Sequence, residues 1–489
     1  MERLFLFYNK GLVNMYKKTF KYFFFTLVNF FLLIIIYFLF VITSSNFENV
    51  ENWSFIISIT AIILMFFQIL QMYYRRIRYM DFRVWFIILL YLFMFGRVFL
   101  HAFNLDSDVF WDLMSRYPEK LLFETSFYIL LFIQAIYTGL MLSSNFHLRE
   151  RRELSDENDD QGDSKLLYNS GIILLFFSVP FRLYIDLNSI IQAQSSSSYM
   201  AIQQHVGLAD DFAILVVPSI LLILAGLPKN KRLGFIVLIA TVSYFIIIMI
   251  LTGDRRYPVT GILAILLCYG AIYRIKLSLR KSLLTILVAM ILLNLLAVIR
   301  KVRTDSLTSL FSFFGIFKEE LFSMDVIYET LAEFGLSFFS VVAILKHMPS
   351  SESYLYGLTF VGSFTSLVPA GFLFSDFHSL ISPSSNTINK LEGYPVGATL
   401  AGDLYANFGW YAVLIAIIIG KLLSKLFVFK EGKNKNFYIV RYYSLFYILI
   451  NLVRSSFFEI FRASFMVYFI PILIIMILKY RQTKQKNKS

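Results

Sequence analysis

Residues 22–43 read YFFFTLVNFFLLIIIYFLFVIT, and residues 233–252 read LGFIVLIATVSYFIIIMILT. Neither run contains a charge, and both are apolar on every side rather than along one stripe. A helix needs roughly 20 predominantly apolar residues to cross the hydrocarbon core of a bilayer. With no water there to satisfy backbone groups, an α-helix is the form such a run takes. Comparable blocks recur along the chain, at 22–43, 53–73, 84–103, 121–142, 167–187, 212–227, 233–252, 257–273, 282–299, 408–429, 437–453 and 463–478. The chain therefore reads as an all-α polytopic membrane protein of about twelve transmembrane helices.

Composition agrees. Charged residues make up 16% of the 489, against about 25% in a typical soluble chain. The net charge of +13 does not point to nucleic acid, because Lys and Arg sit mainly in short connections between apolar blocks. Cys268 is the single cysteine and falls inside a block, so neither a disulfide framework nor a thiolate zinc site is available. The first block is longer than a signal-peptide core and no small-residue cleavage site follows it, so it reads as a retained span.

The basic residues set the direction. Short cytoplasmic loops are enriched in Lys and Arg. With both termini inside, the inside segments carry 30 Lys/Arg and the outside segments 12, half of these in 300–407. The reading divides the chain into nine spans over 1–299, a long extracytoplasmic loop over 300–407, and three spans with a basic tail over 408–489. The loop is partly apolar, over Leu336–Leu345 and more weakly over Leu355–Phe374, where Gly357, Gly362, Pro369 and Gly371 interrupt it. A re-entrant pair, interfacial helices, or two extra short spans (fourteen in all) each fit. The acidic run Glu153–Asp163 reads as a cytoplasmic loop.

Several charges lie at the outer boundary. Gly253-Asp254-Arg255-Arg256 closes one span, and Arg300, Lys301 and Arg303 open the long loop. Paired guanidiniums offer forked donors suited to phosphate oxygens; snorkelling and helix-end capping are the plain alternatives. Arg97 and His101 share a helix face, as do Arg182 and Asp186, for which an intrahelical salt bridge is the simpler account. Arg454, Glu459 and Arg462 occupy the last outer turn. Asp325, Glu329 and Glu333 recur every four residues, the pattern of a solvated helix face. Asp376 and His378 sit in a Ser/Pro/Asn-rich stretch, and an imidazole there is a candidate general base. No metal-binding or phosphate-loop motif is present, and neither metal nor cofactor is expected.

The outer basic clusters, the long loop ending in Ala401-Gly402-Asp403-Leu404-Tyr405-Ala406-Asn407-Phe408-Gly409, and Arg454 with Arg462 together resemble the Wzy-type polysaccharide repeat-unit polymerases of bacteria (O-antigen or capsule). The resemblance is concentrated in 250–465. It implies a glycosyltransferase of the bacterial cytoplasmic (inner) membrane, joining polyprenyl-diphosphate-linked oligosaccharides on the outer face. It further implies that Arg255, Arg256, Arg300 and Arg303 stabilise the leaving diphosphate, that His378 or Asp403 (with Asp376 a third candidate) takes the acceptor proton, and that Lys301, Tyr405, Asn407, Arg454, Arg462 and Arg97 bind substrate. Tyr394 and Trp410 offer surfaces for stacking on sugars. A flippase and a chain-length regulator are the protein partners it allows. A lipid-linked oligosaccharide transporter and an O-antigen ligase are the competing readings; a transporter would gather its cations at mid-membrane in two related halves.

Overall fold

The computed structural model describes residues 2–49, 52–105, 113–142, 160–196, 208–252, 256–275, 325–367, 387–394, 396–427 and 435–486. The described residues form helices and connecting turns, with no strand among them. In chain order the helices are α1 (Glu2–Ser45), α2 (Trp53–Tyr74), α3 (Phe82–Ala102), α4 (Glu119–Met141), α5 (Asp160–Ser196), α6 (Leu208–Ala213), α7 (Val216–Gly226), α8 (Lys231–Thr252) and α9 (Arg256–Ile272). They continue with α10 (Asp325–Phe334), α11 (Leu336–His347), α12 (Leu358–Thr365), α13 (Thr387–Glu392), α14 (Leu400–Phe408), α15 (Ala412–Leu426), α16 (Lys435–Leu449) and α17 (Phe457–Lys486). Among the described residues, ten stretches are long and apolar enough to cross a membrane, and Tyr257–Ile272 is a shorter apolar helix. The chain is an all-α multi-pass membrane protein.

Two boundaries move relative to the sequence reading. One candidate span is Leu400–Leu426, so Asp403, Tyr405 and Asn407 leave the loop and enter a helix. Another is Tyr328–His347, built from α10 and α11 inside the stretch expected as loop. Glu329 on α10 is only 4% exposed, which overturns the expectation of a solvated acidic face: α10 packs on α3, where Phe334 stacks on Phe93 at 4.7 Å. Hydropathy did not reveal this because the covering partner is distant in sequence. The block at 282–299 lies outside the described residues.

The core forms around α4. Its residues Thr125–Met141 are buried without a break, whereas α1 shows Phe23, Phe31, Phe38 and Ile42 to the surroundings, as a lipid-facing helix does. Lipid is as apolar as Leu, so helices here associate by close packing and polar contacts rather than by apolar burial. Both devices are present. Gly139 on α4 and Gly420 on α15 meet so closely that a Cβ on either would lie 2.1 and 2.3 Å from the opposite helix's Ile417 and Ile136 carbonyl oxygens. Beside this contact, Asn29 donates to Gln71 Oε1 (3.1 Å), Tyr137 to the same oxygen (2.9 Å), and Gln68 to Gln134 Oε1 (2.9 Å). These bonds stitch α1, α2 and α4 together.

Contacts also show which connections share an end of the bundle. Arg75 donates to the Met141 carbonyl, Tyr79 to Ile275, Tyr273 to Leu227, Asn436 to Ala225 and Tyr443 to Met80. All these residues border connections expected to be inside. At the other end Trp53 lies beside His101 and Phe123, and Tyr117 bonds Glu392. These contacts group the named connections at two ends of the bundle; their direction is an expectation from the Lys/Arg bias. A reporter fused after Ser350, just beyond α11, is expected to score as extracytoplasmic, and a cytoplasmic signal would overturn the orientation.

Candidate active site

At the end expected to face outward, three segments meet around α14. Thr399, extended in backbone, caps this helix by accepting from Gly402 N (3.0 Å), the bond an N-cap hydroxyl provides. Asp403 and Asn407 stand one turn apart and so share a face. Asp403 is 2% exposed, and both of its carboxylate oxygens are engaged. Oδ1 accepts from the Thr359 hydroxyl (2.9 Å) and the Asn407 amide (3.1 Å); Oδ2 accepts from Phe457 N (3.1 Å), the first residue of α17. A carboxylate at a helix N-terminus satisfies an orphan N–H and the positive end of the helix dipole. Ser456 completes that terminus by accepting from Glu459 N (3.3 Å), half of a capping box.

Asn407 closes the knot from the other side. Its amide also donates to Thr359 Oγ1 (2.7 Å) and to the Asp403 carbonyl (2.7 Å), while its Oδ1 accepts from Gly357 N (2.9 Å). Tyr356 N and Leu355 N then bond the Asn407 and Ala406 carbonyls. Gly409 has φ +55° and ψ −137°, a backbone conformation open chiefly to glycine. The Asp-x-Tyr-x-Asn-Phe-Gly element thus joins the 354–359 turn, α14 and the start of α17. Tyr405 is buried in an aromatic cluster with Tyr128 (5.0 Å), Tyr354 (6.2 Å) and Trp410 (6.2 Å).

The described basic residues that the sequence singles out make the following contacts. Arg97 is buried and donates to the Ala332 carbonyl at 3.0 Å, holding α3 to α10. One turn earlier on α3, Phe93 lies under the exposed Arg454 guanidinium, 5.6 Å from its ring centre. Arg462 pairs with Asp211, tying α17 to α6. Arg182 and Asp186 form the expected intrahelical salt bridge (2.8 Å), and Tyr244 donates to the same aspartate. Arg255, Arg300, Lys301, Arg303, Asp376 and His378 lie outside the described residues, as does the side chain of Arg256.

A second polar cluster, on the rim beside α14, escaped the sequence reading. Glu392 Oε1 accepts from Lys346 Nζ (2.9 Å) and contacts His347 Nε2 (2.6 Å), and Oε2 accepts from the Tyr117 hydroxyl (2.8 Å). Tyr117 and Tyr394 share a hydrogen bond of 2.5 Å. Because Tyr117 donates to Glu392, Tyr394 is the donor to Tyr117. Arg116 stands over the Tyr394 ring at 5.3 Å. Burial alone would raise the Glu392 pKa, but the hydrogen bonds from Lys346, Tyr117 and His347 hold it below the usual carboxylate range. Burial, followed by the bonds to Tyr394 and Glu392, pushes the Tyr117 phenol up. Lys346 and His347 end an apolar run and Glu392 lies in a polar stretch more than forty residues on, so nothing local joins them; the Lys-His adjacency at a helix end is the one signal of an anion partner.

The family model for the O-antigen polysaccharide polymerase Wzy matches residues 22–486, nearly the whole chain. No curated protein and no solved structure matches it significantly. Polymerising glycosyl transfer on lipid-linked oligosaccharides, in a membrane, is the activity this family carries. The chain belongs to the Wzy family of O-antigen polysaccharide polymerases.

Proposed function

We propose that the protein joins polyprenyl-diphosphate-linked repeat units on the outer face of the bacterial cytoplasmic membrane. A hydroxyl of the acceptor sugar attacks the anomeric carbon of the donor glycan; the bond from that carbon to the diphosphate oxygen breaks, and the diphosphate leaves with the electron pair. Cations are needed where that charge develops, and preorganised donors act most strongly in a water-poor site. Arg255, Arg256, Arg300 and Arg303 are assigned that task, with Lys301 and Arg454 guiding the anion in. Arg97 and Arg462 brace the surrounding helices through Ala332 and Asp211. The observation that carries this reading is the family match over residues 22–486. The exposed Arg454 beside the knot supports it.

A hydrogen bond to a charged group contributes about 1.5–3 kcal/mol. Arg255→Ala and Arg300→Ala are each expected to lower polymerisation by an order of magnitude or more, with protein abundance unchanged. The check is the lipid-linked glycan profile on gels, beside a strain lacking the protein. Single-repeat material with no long polymer is the expected profile for the deletion. Long polymer stranded on its lipid carrier would indicate a ligase, and an unchanged profile would return the reading to transport. Full activity in both Arg variants would remove the anion site.

A further inference from the structure

His347 ends α11 at the rim, next to a carboxylate that it meets through one ring nitrogen only. Nε2 lies 2.6 Å from Glu392 Oε1; among the described residues Nδ1 has no hydrogen-bond partner. Glu392 accepts in three directions and is itself held by Tyr117, with Tyr394 behind it. A carboxylate that takes the Nε2 proton in a hydrogen bond selects the tautomer whose Nδ1 carries a lone pair. That is the arrangement a proton-accepting imidazole needs: one nitrogen oriented by an acid, the other open. The side chain is 11% exposed, so it is reached from the rim while its ring is fixed by packing. Ile344, one turn back on α11, lies against Gly402, which puts the imidazole on the helix that flanks the Asp403 knot.

We infer that His347 takes the proton of the attacking acceptor-sugar hydroxyl, with Glu392 as its positioning residue. This rests on the polymerase reading above. As the hydroxyl oxygen bonds to the anomeric carbon, its proton passes to Nδ1, while the diphosphate departs with the electrons of the broken carbon–oxygen bond. The imidazolium then returns its proton to water at the exposed rim. The charged and titratable neighbours facing this group are Glu392 from α13, Lys346 from its own helix, and Tyr117 with Arg116 from the segment before α4. Tyr117 and Tyr394 form the wall beside it, a surface of phenol rings of the kind that sugars contact.

The test uses the full-length protein in proteoliposomes, with lipid-linked repeat units extracted from a strain that lacks it. In the parent protein, single-turnover elongation is expected to depend on pH, as transfer to a general base does. His347→Gln is expected to slow elongation about 100-fold or more, the range for a lost general base, and to change that pH dependence. Glu392→Gln keeps an oxygen for Nε2–H but loses the charge; a smaller loss of at least about tenfold is expected, with Glu392→Asp recovering part of it. Elongation by His347→Gln within threefold of the parent, with the same pH profile, overturns the proposal. So does a variant that melts earlier yet keeps the parent's pH profile in its residual activity, since that marks a latch. Should His347→Gln fail to fold, an unchanged rate and profile in Glu392→Gln overturns the proposal equally. If the parent itself does not elongate, the polymerase reading fails; if parent and variant elongate alike, only the role of His347 does.

Discussion

Replacing Asp403 by alanine is expected to remove long polymer and to deplete the protein from the membrane at the same time. The carboxylate receives three donors within one buried knot: the Thr359 hydroxyl, the Asn407 amide and Phe457 N. A buried donor left without an acceptor costs about 1–3 kcal/mol, and here three lose theirs together. Asp403→Asn separates the two halves of the knot. It keeps an oxygen for Thr359 and Asn407, but it sets an amide NH2 against Phe457 N–H, where neither group can accept. The amide variant is therefore expected to fold with a loosened start of α17 and to fall between alanine and the parent. The measurement is membrane abundance by immunoblot together with the melting temperature in detergent. Normal abundance and melting in Asp403→Ala, with polymer lost, would mean that the carboxylate acts in chemistry and not in holding the knot. The contrast with Arg255→Ala, expected to lose polymer at normal abundance, makes the distinction visible in one experiment.

Gly420→Leu is expected to be comparably severe for a different reason. Its α-carbon faces α4 with no room for a side chain: a Cβ would sit 2.3 Å from the Ile136 carbonyl oxygen and 3.1 Å from the Gly139 α-carbon. Nothing flexible stands in the way; the obstacle is backbone in the buried stretch of α4. Overpacking a core typically costs about 1–3 kcal/mol. Here the strain falls on two main chains that must separate along their length, so the cost is expected at the upper end. Gly420→Ala already meets the clash and is expected to destabilise measurably, with Leu worse. Gly139→Leu should behave alike, and the double variant should be less than additive, since either alone parts the helices. A Gly420→Leu protein melting with the parent would show that the α4–α15 contact is not made in the membrane.

How far the sequence carried this protein can be followed residue by residue. The runs at 22–43, 53–73, 84–103, 121–142 and 233–252 each match a membrane-crossing stretch within one or two residues of the expected bounds, because a membrane span is a local property: enough apolar residues in a row, with every backbone bond made inside the segment. The Arg182–Asp186 bridge was legible for the same reason, being a matter of four residues' spacing on one helix. Family membership was legible through the 401–409 element and the basic clusters around it.

The roles within the candidate site were not local, and there the sequence stopped. Nothing in Asp403 itself says that it caps a helix beginning 54 residues later, or that Thr359 from an earlier segment fills its other oxygen. Glu329 carries the pattern of a solvated face and is buried because α3 covers it. Tyr117, His347 and Glu392 are single polar residues scattered over 275 positions, and only the folding of three separate elements onto one rim makes them a cluster. Sequence alone determined that the chain is a bundle of membrane-spanning helices and to which enzyme family it belongs, since each follows from hydropathy or a contiguous motif. Tertiary structure alone decided which polar groups of different helices meet, because in a helical bundle the partners of a buried charge are set by which helices pack side by side, and that choice is written in the close approach of Gly139 to Gly420 and of Gly96 to Gly335 rather than in the charged residues themselves.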